Sequence, residues 1–250
     1  MGILSIKRST IILFIIMLII FFSGIWYANF YYQGVNDSED PRVVRAKELY
    51  NNYNQLAEEN KYQEIFDLLD SIEIIYNQFD DYRYSYEVGV LYNNRAALCL
   101  NMALFEPFTE MEKDSLIQSA QSFIYQGIRI YENWNAEFAL YSEADFQSYL
   151  NAIYFNVFPL KDSSEVELFI SKRSQEMMDA QLEMNRRLSV VYTNLGIVLR
   201  YQNQVKEAVE SYQMALELWD KNITAENNIN ILMGKPLKTR SIIDRLFPDE

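Results

Sequence analysis

The scarcity of helix-breaking residues is the strongest constraint on how this chain folds. Only seven glycines and five prolines occur among its 250 residues. After Pro41, the next prolines are Pro107, Pro159 and Pro236. Proline and glycine interrupt helices, so long intervals without them favour long helices over a turn-rich sheet. Apolar residues recur at spacings of three and four within these intervals, and no alternating strand pattern competes. We therefore predict an all-α fold.

The charged and reactive residues argue against several function classes. The net charge of −13 opposes binding to nucleic-acid phosphates. The chain has no histidine, which removes histidine-based acid–base catalysis and histidine-ligated metals. Its single cysteine, Cys99, cannot form an internal disulfide, and its apolar neighbours indicate a buried position. Acidic pairs such as Asp80 and Asp81 lack the spacing of a metal loop and are expected on solvated helix faces. We predict a protein that is not an enzyme and has no catalytic residues, cofactor, metal site or nucleic-acid partner.

The N-terminal segment has the pattern of a membrane anchor. Residues 11–22 read IILFIIMLIIFF, and the stretch from Ser9 to Ala28 has the length of a membrane-spanning helix. Aromatic residues from Trp26 to Tyr32 suit a membrane–water interface. These features predict a short N-terminus over residues 1–8, a transmembrane signal anchor in the lipid bilayer over 9–32, and a polar linker over 33–41.

Cleavage and orientation leave alternatives for this segment. A cleaved signal peptide needs small residues at the cleavage site, and Phe22 and Trp26 stand there instead, which favours an uncleaved anchor. Lys7 and Arg8 precede the span, so the positive-inside rule places the C-terminal domain across the membrane. In a bacterium this is the periplasmic side of the inner membrane. The same domain facing the cytoplasm is the alternative.

The rest of the chain has helical periodicity over residues 42–234, followed by a tail over 235–250. Thr109 with Glu112 forms a predicted capping box. A helix starts near Ser142, and a long helical pattern covers residues 165–201. The sequence Gln-Asn-Gln at 202–204 predicts a turn into a further helix.

The most specific pattern lies in residues 189–222. Its small and large residues follow a fixed spacing: Tyr192, Leu195, Gly196, Leu199, Ala208, Tyr212 and Ala215. This spacing resembles the tetratricopeptide repeat, with tyrosine in place of tryptophan and of phenylalanine. The resemblance implies antiparallel helix pairs stacked into a solenoid. Gly196 and Ala208 would lie where the paired helices approach most closely.

Other segments are predicted to be diverged copies of this unit. Units are expected over 46–79 and 86–133, a capping helix over 223–233, and an aromatic helical insert over 135–160. In the unit 86–133, the repeat positions fall on Tyr92, Ala96, Cys99, Ala120, Ile124 and Gly127. The insert has two interpretations, because its aromatic residues could pack in the core or form a docking surface or plug.

The resemblance also implies where a partner binds, because the first helix of each repeat lines a concave groove. Four asparagines take the same place in the predicted first helices: Asn51, Asn94, Asn194 and Asn228. Ile197, Arg200 and Tyr201 share that face. We predict an asparagine ladder for an extended peptide, although asparagine is also common at this place in the family.

The function implied is a membrane-anchored scaffold or adaptor that holds a protein partner in a bacterial envelope assembly. The alternative is a domain that binds an apolar small molecule or lipid.

Overall fold

The computed structural model describes Met17, Phe21, Ser23 and residues 39–239. Helix dominates this part of the chain, and none of its residues is in a strand. The prediction of an all-α protein is confirmed for these residues. The helices within residues 39–239 are, in chain order, α1 (Val44–Tyr50), α2 (Tyr53–Glu58), α3 (Tyr62–Tyr76), α4 (Asp80–Arg83), α5 (Tyr86–Phe105), α6 (Glu110–Phe138), α7 (Glu143–Val157), α8 (Ser163–Tyr201), α9 (Val205–Leu218) and α10 (Ile223–Leu232).

The described residues include only a small part of the predicted membrane anchor. Within the described residues, no helix combines the length and the apolar character needed to cross a bilayer. Residues 1–8 and most of the predicted span 9–32 lie outside the described residues, as does the end of the tail from residue 240. The anchor therefore stays a prediction.

Local signals set the helix ends. Thr109 and Glu112 form the predicted capping box at the start of α6. Ser142 forms a second box with Asp145 and starts α7, close to the predicted position. Asn203 has a φ of 60° in the turn that separates α8 from α9, a left-handed conformation that asparagine tolerates better than most residues.

Two core clusters hold the helices together. The larger cluster joins α5 to α10, and the smaller one joins α1, α3 and α4 to one side of α5. Helix α5 belongs to both, since Leu91 and Leu98 face the smaller cluster while Cys99 and Ala103 face the larger one. Helix α8 packs against α6, α7 and α9. Cys99 is buried and free, as the sequence predicts.

Two helix pairs, α5–α6 and α8–α9, share one packing arrangement. A Cβ atom added to Gly196 would lie 2.4 Å from the Tyr212 ring, and one added to Gly89 would lie 2.4 Å from the Tyr131 ring. Each glycine leaves room for a tyrosine of the partner helix, where any larger residue would overlap the ring. Gly127 faces the backbone of α5, and a Cβ atom added there would lie 3.7 Å from the Gly89 carbonyl oxygen.

This arrangement differs from the predicted register of the unit 86–133. The repeat spacing assigned the two contact positions to Ala96 and Ile124, whereas the contact lies at Gly89 and Tyr131. The contact is displaced about two turns towards the start of α5 and about two turns towards the end of α6. Opposite displacements are what an antiparallel pair requires.

The residues predicted to pack the repeat 189–222 lie at the α8–α9 contact. Tyr192 is half-buried, and its hydroxyl donates a 3.0 Å hydrogen bond to Glu132 of α6. The others are buried: Leu195, Gly196, Leu199, Ala208, Tyr212 and Ala215.

The aromatic insert packs into the larger core. Phe138, Phe146 and Tyr154 are buried, and Tyr149 and Phe158 pack against the same cluster. This confirms the core-packing interpretation for these side chains. It also removes the idea that they form a free plug.

Candidate functional site

Helices α1, α5 and α8 border an open groove with a cavity of about 510 Å³. We call it the first-helix groove, because these are the first helices of the predicted units. Residues from four helices and the preceding segment line it: Glu39, Lys47, Tyr50, Asn51, Tyr76, Tyr86, Glu87, Val90, Leu91, Glu176 and Arg187.

A chain of ion pairs runs along one wall of the groove. Lys47 pairs with Glu39 and with Glu176. The buried Arg173 pairs with Glu176 and with Glu87. Lys172 approaches Glu39 to 3.7 Å. The carboxylates of Glu39, Glu87 and Glu176 are therefore matched by three cations, Lys47, Lys172 and Arg173.

These pairs keep their charges although they are shielded from water. Burial alone would raise the pKa of Glu87, but the charge and hydrogen bonds of Arg173 outweigh it and lower the pKa. Burial alone would lower the pKa of Lys47, but Glu176 and Glu39 outweigh it and raise the pKa. Both groups are therefore charged at neutral pH.

Unlike the other cations of the groove, Arg187 has no carboxylate partner among the described residues. Within this part of the chain, its buried Nε atom also has no hydrogen-bond partner. Its guanidinium lies 5.4 Å from the centre of the Tyr86 ring, and its charge acts on the hydroxyls of Tyr50 and Tyr131. A planar guanidinium surrounded by tyrosines can bind a carboxylate through two parallel hydrogen bonds.

Three of the four predicted ladder asparagines make side-chain hydrogen bonds within the domain. The Asn94 amide donates a 2.8 Å hydrogen bond to the Tyr50 hydroxyl, and the Asn194 amide donates a 3.0 Å bond to Asn93. Asn228 is buried, accepts from Arg200 and donates to a backbone carbonyl of its own helix. Asn51 is exposed and borders the groove.

The remaining predicted groove residues lie at the other end of α8. Ile197 and Arg200 are half-buried, and Tyr201 is exposed. Tyr201 lines a separate cavity of about 500 Å³ between the end of α5 and the start of α6. The predicted set therefore divides between two places on the molecule.

Sequence reasoning missed a second polar centre, which lies beside the groove. The Arg42 guanidinium binds Asp81 at 2.8 Å and Asp40 at 2.6 Å. It also lies 4.9–5.4 Å from the ring centres of Phe79, Tyr82, Tyr154 and Phe158. Asp40 and Arg42 thus belong to the core, and the sequence expectation of a solvated Asp81 is wrong.

Two observations concern metal binding and the single thiol. Within residues 39–239, no group of three or more Cys, Asp or Glu side chains is arranged to hold a metal ion. Burial raises the pKa of Cys99 to about 11, so its thiol is a poor nucleophile at neutral pH.

Comparisons with protein-family models, with curated proteins and with solved structures each find no match for this chain.

Proposed function

We propose that this protein is a membrane-anchored, non-catalytic scaffold that holds a protein partner in the first-helix groove. The observation that carries the proposal is Arg187, a cation without a carboxylate partner among the described residues, in an open groove. An unmatched charge in a half-buried position is costly unless a ligand supplies its counterion.

The scaffold part of the proposal rests on the repeated helix pair. Gly89 with Tyr131 and Gly196 with Tyr212 have the same close contact, which supports two related units. Val88, Gly89 and Tyr92 also keep the Leu-Gly-x2-Tyr spacing of the tetratricopeptide pattern. Stacked units of this kind present their first helices on one surface.

The chemistry of the groove selects the kind of segment it binds. Arg187 suits an acidic side chain or a C-terminal carboxylate, while the half-buried Val90 offers apolar contact beside it. Tyrosine supplies both an apolar ring and a hydroxyl, which is favourable at protein interfaces. We therefore propose an extended segment with a carboxylate next to an apolar residue.

The location follows from the sequence of the anchor. Residues 9–32 would fix the chain in the bilayer, and Lys7 and Arg8 would keep the N-terminus in the cytoplasm. The domain would then act on the periplasmic side of a bacterial inner membrane, in an envelope assembly.

A binding site for an apolar small molecule or lipid has less support. The aromatic insert is its expected lining, and Phe146 and Tyr154 are packed in the core. The cavity that Phe138 and Tyr149 do line holds about 160 Å³, which is small for such a ligand.

Crosslinking in native membranes tests the proposal. A photoreactive amino acid at the exposed Asn51 should capture a partner segment, and Arg187→Gln should strongly reduce the capture. Arg186→Gln is the matched control, because Arg186 is the adjacent residue and already pairs with Glu183. Equal capture by both variants would contradict the proposal. A captured peptide without a carboxylate near the crosslink would contradict the ligand chemistry.

A further inference from the structure

The end of α7, the start of α8 and the turn between them carry four exposed apolar side chains. Leu160 is 99% exposed, the highest value among the exposed large hydrophobic residues of the described chain. Phe155, Val157 and Leu168 are also exposed. We call residues 155–168 the α7–α8 tip. Burying one such side chain contributes about 1.5–3 kcal/mol, so the tip favours an apolar environment that the domain itself does not provide.

The α7–α8 tip lies beside the point where the described domain begins. The Tyr154 hydroxyl donates a 2.7 Å hydrogen bond to Asp40. The Phe158 ring lies 5.4 Å from the Arg42 guanidinium, and Lys172 of α8 lies 3.7 Å from Glu39. Residue 39 is therefore held against the same end of the domain as Leu160.

The chain that precedes residue 39 limits how far this end lies from the bilayer. The predicted span ends at residue 32, which leaves residues 33–38 as the connection. Each residue spans at most about 3.3–3.6 Å, so the connection is shorter than about 25 Å. Because Asp40 and Arg42 are fixed in the core, the connection cannot lengthen by unravelling without breaking those contacts.

We propose that the α7–α8 tip inserts its apolar side chains into the interfacial layer of the lipid bilayer. The proposal rests on the proposed anchor and goes beyond the groove, which would keep its own partner. Leu160 would enter the boundary between headgroups and acyl chains, with Phe155 and Val157 beside it. The anchor and the tip would then be two contacts that fix the orientation of the domain on the membrane.

The charges around the tip favour a neutral lipid contact over an anionic one. Lys161 pairs with Glu165, and the side chain of Asp162 caps the start of α8. Residues 155–168 contain Lys161 and three carboxylates, Asp162, Glu165 and Glu167, so the tip is net negative and does not attract anionic headgroups. A stable contact between two protein copies needs about 800 Å² of matching surface on each side. A bilayer requires no such matching surface.

A fluorescence experiment on the full chain in vesicles tests this inference. The variant Leu160→Cys carries an environment-sensitive fluorophore, and the protein is reconstituted into phosphatidylcholine vesicles that contain nitroxide-labelled lipid. The control is Leu140→Cys. Leu140 is 95% exposed and lies at the opposite end of α7, a helix about 22 Å long. The native Cys99 is buried, so it should remain unlabelled.

We expect the emission of the fluorophore at position 160 to shift to the blue and to be quenched by the nitroxide-labelled lipid. The fluorophore at position 140 should show neither change. Adding the anionic lipid phosphatidylglycerol should weaken, and not strengthen, the blue shift and the quenching at position 160, because the tip is net negative. Equal quenching at both positions, or none at position 160, would overturn the inference while leaving the anchor and the groove intact. A blue shift that nitroxide lipid does not quench would identify a protein contact, such as a second copy, and would also overturn it. A chain that does not remain in the vesicles would overturn both the anchor and this inference.

Discussion

The hydroxyl of Tyr154 donates a 2.7 Å hydrogen bond to the carboxylate of Asp40, although 114 residues separate them. Both side chains are buried. The bond joins the first described segment of the domain to the aromatic helix α7, and the Tyr82 hydroxyl donates a second bond to the same carboxylate at 3.2 Å. The segment next to the predicted anchor is therefore part of the folded core.

Replacing Tyr154 with phenylalanine should destabilise the domain. The substitution keeps the ring but removes a donor from a buried carboxylate, which costs about 1.5–3 kcal/mol for a hydrogen bond to a charged group. Tyr84→Phe is the control, because the Tyr84 side chain is exposed. Thermal unfolding of the purified chain, followed by circular dichroism, measures the difference. Equal melting temperatures for the two variants would mean that the Tyr154 bond contributes nothing.

Acidification should reduce the stability that the buried Asp40 carboxylate gains from Arg42 and Tyr154. Burial would raise the pKa of Asp40, but the hydrogen bonds and charge of Arg42, with the Tyr154 hydroxyl, outweigh burial and hold the pKa below its ordinary value of 3.8. The unfolded state therefore binds the proton more readily, and the stabilisation is present above about pH 4 and lost as the pH falls through the lower folded-state pKa. Asp40→Asn should reduce the fall in unfolding free energy below about pH 4, and Asp80→Asn, at an exposed position, is the control. A fall of the same size in all three proteins would assign the acid sensitivity to other groups.

The glycine–tyrosine contacts predict different outcomes for three similar substitutions. Gly196→Ala and Gly89→Ala place a methyl group 2.4 Å from a buried tyrosine ring, so each should lower the unfolding free energy by about 1–3 kcal/mol. Gly127→Ala meets its nearest atom at 3.7 Å, and it should be neutral or stabilising by up to about 1 kcal/mol through helix propensity. Urea unfolding measures the free energy of unfolding of the three variants and of the wild type. If all three have the same effect, the glycines matter through backbone entropy and not through the contact.

Much of the fold could be predicted because its signals are local. The boxes at Thr109 and Ser142 and the turn at Asn203 each depend on residues within one helical turn. The burial of Cys99 follows from its immediate neighbours. The register of α5 on α6 is harder to predict, because the extra residues of this unit lengthen the two helices themselves, while only residues 106–109 join them. The signal that could have found it is Val88-Gly89 followed by Tyr92.

The candidate site could be predicted only in outline. Of the predicted groove residues, Asn51 alone lines the first-helix groove, and Arg187 resembles any other cation on a long helix until its neighbours are known. Glu87 is another case, since its partner Arg173 lies on a helix much later in the chain. Asn94 and Asn194 use their amides for contacts between helices that no sequence spacing shows, and the asparagine ladder stays a prediction.

Asn222 links the end of the repeat to the last helix, and its replacement should loosen α10. Its buried amide donates to the hydroxyl oxygens of Ser189 at 2.7 Å and Thr193 at 2.9 Å, and its side-chain oxygen accepts from the Ala225 backbone at the start of α10. Asn222→Ala removes the cap and these bonds, so it should cost about 1–3 kcal/mol. Hydrogen exchange followed by mass spectrometry should show faster exchange over 223–232 than in the wild type. Asn230→Ala, on the same helix, should not make hydrogen exchange over residues 223–232 faster. If α10 kept its wild-type protection in Asn222→Ala, the helix would be held by apolar packing of Ala225 and Ile229 alone.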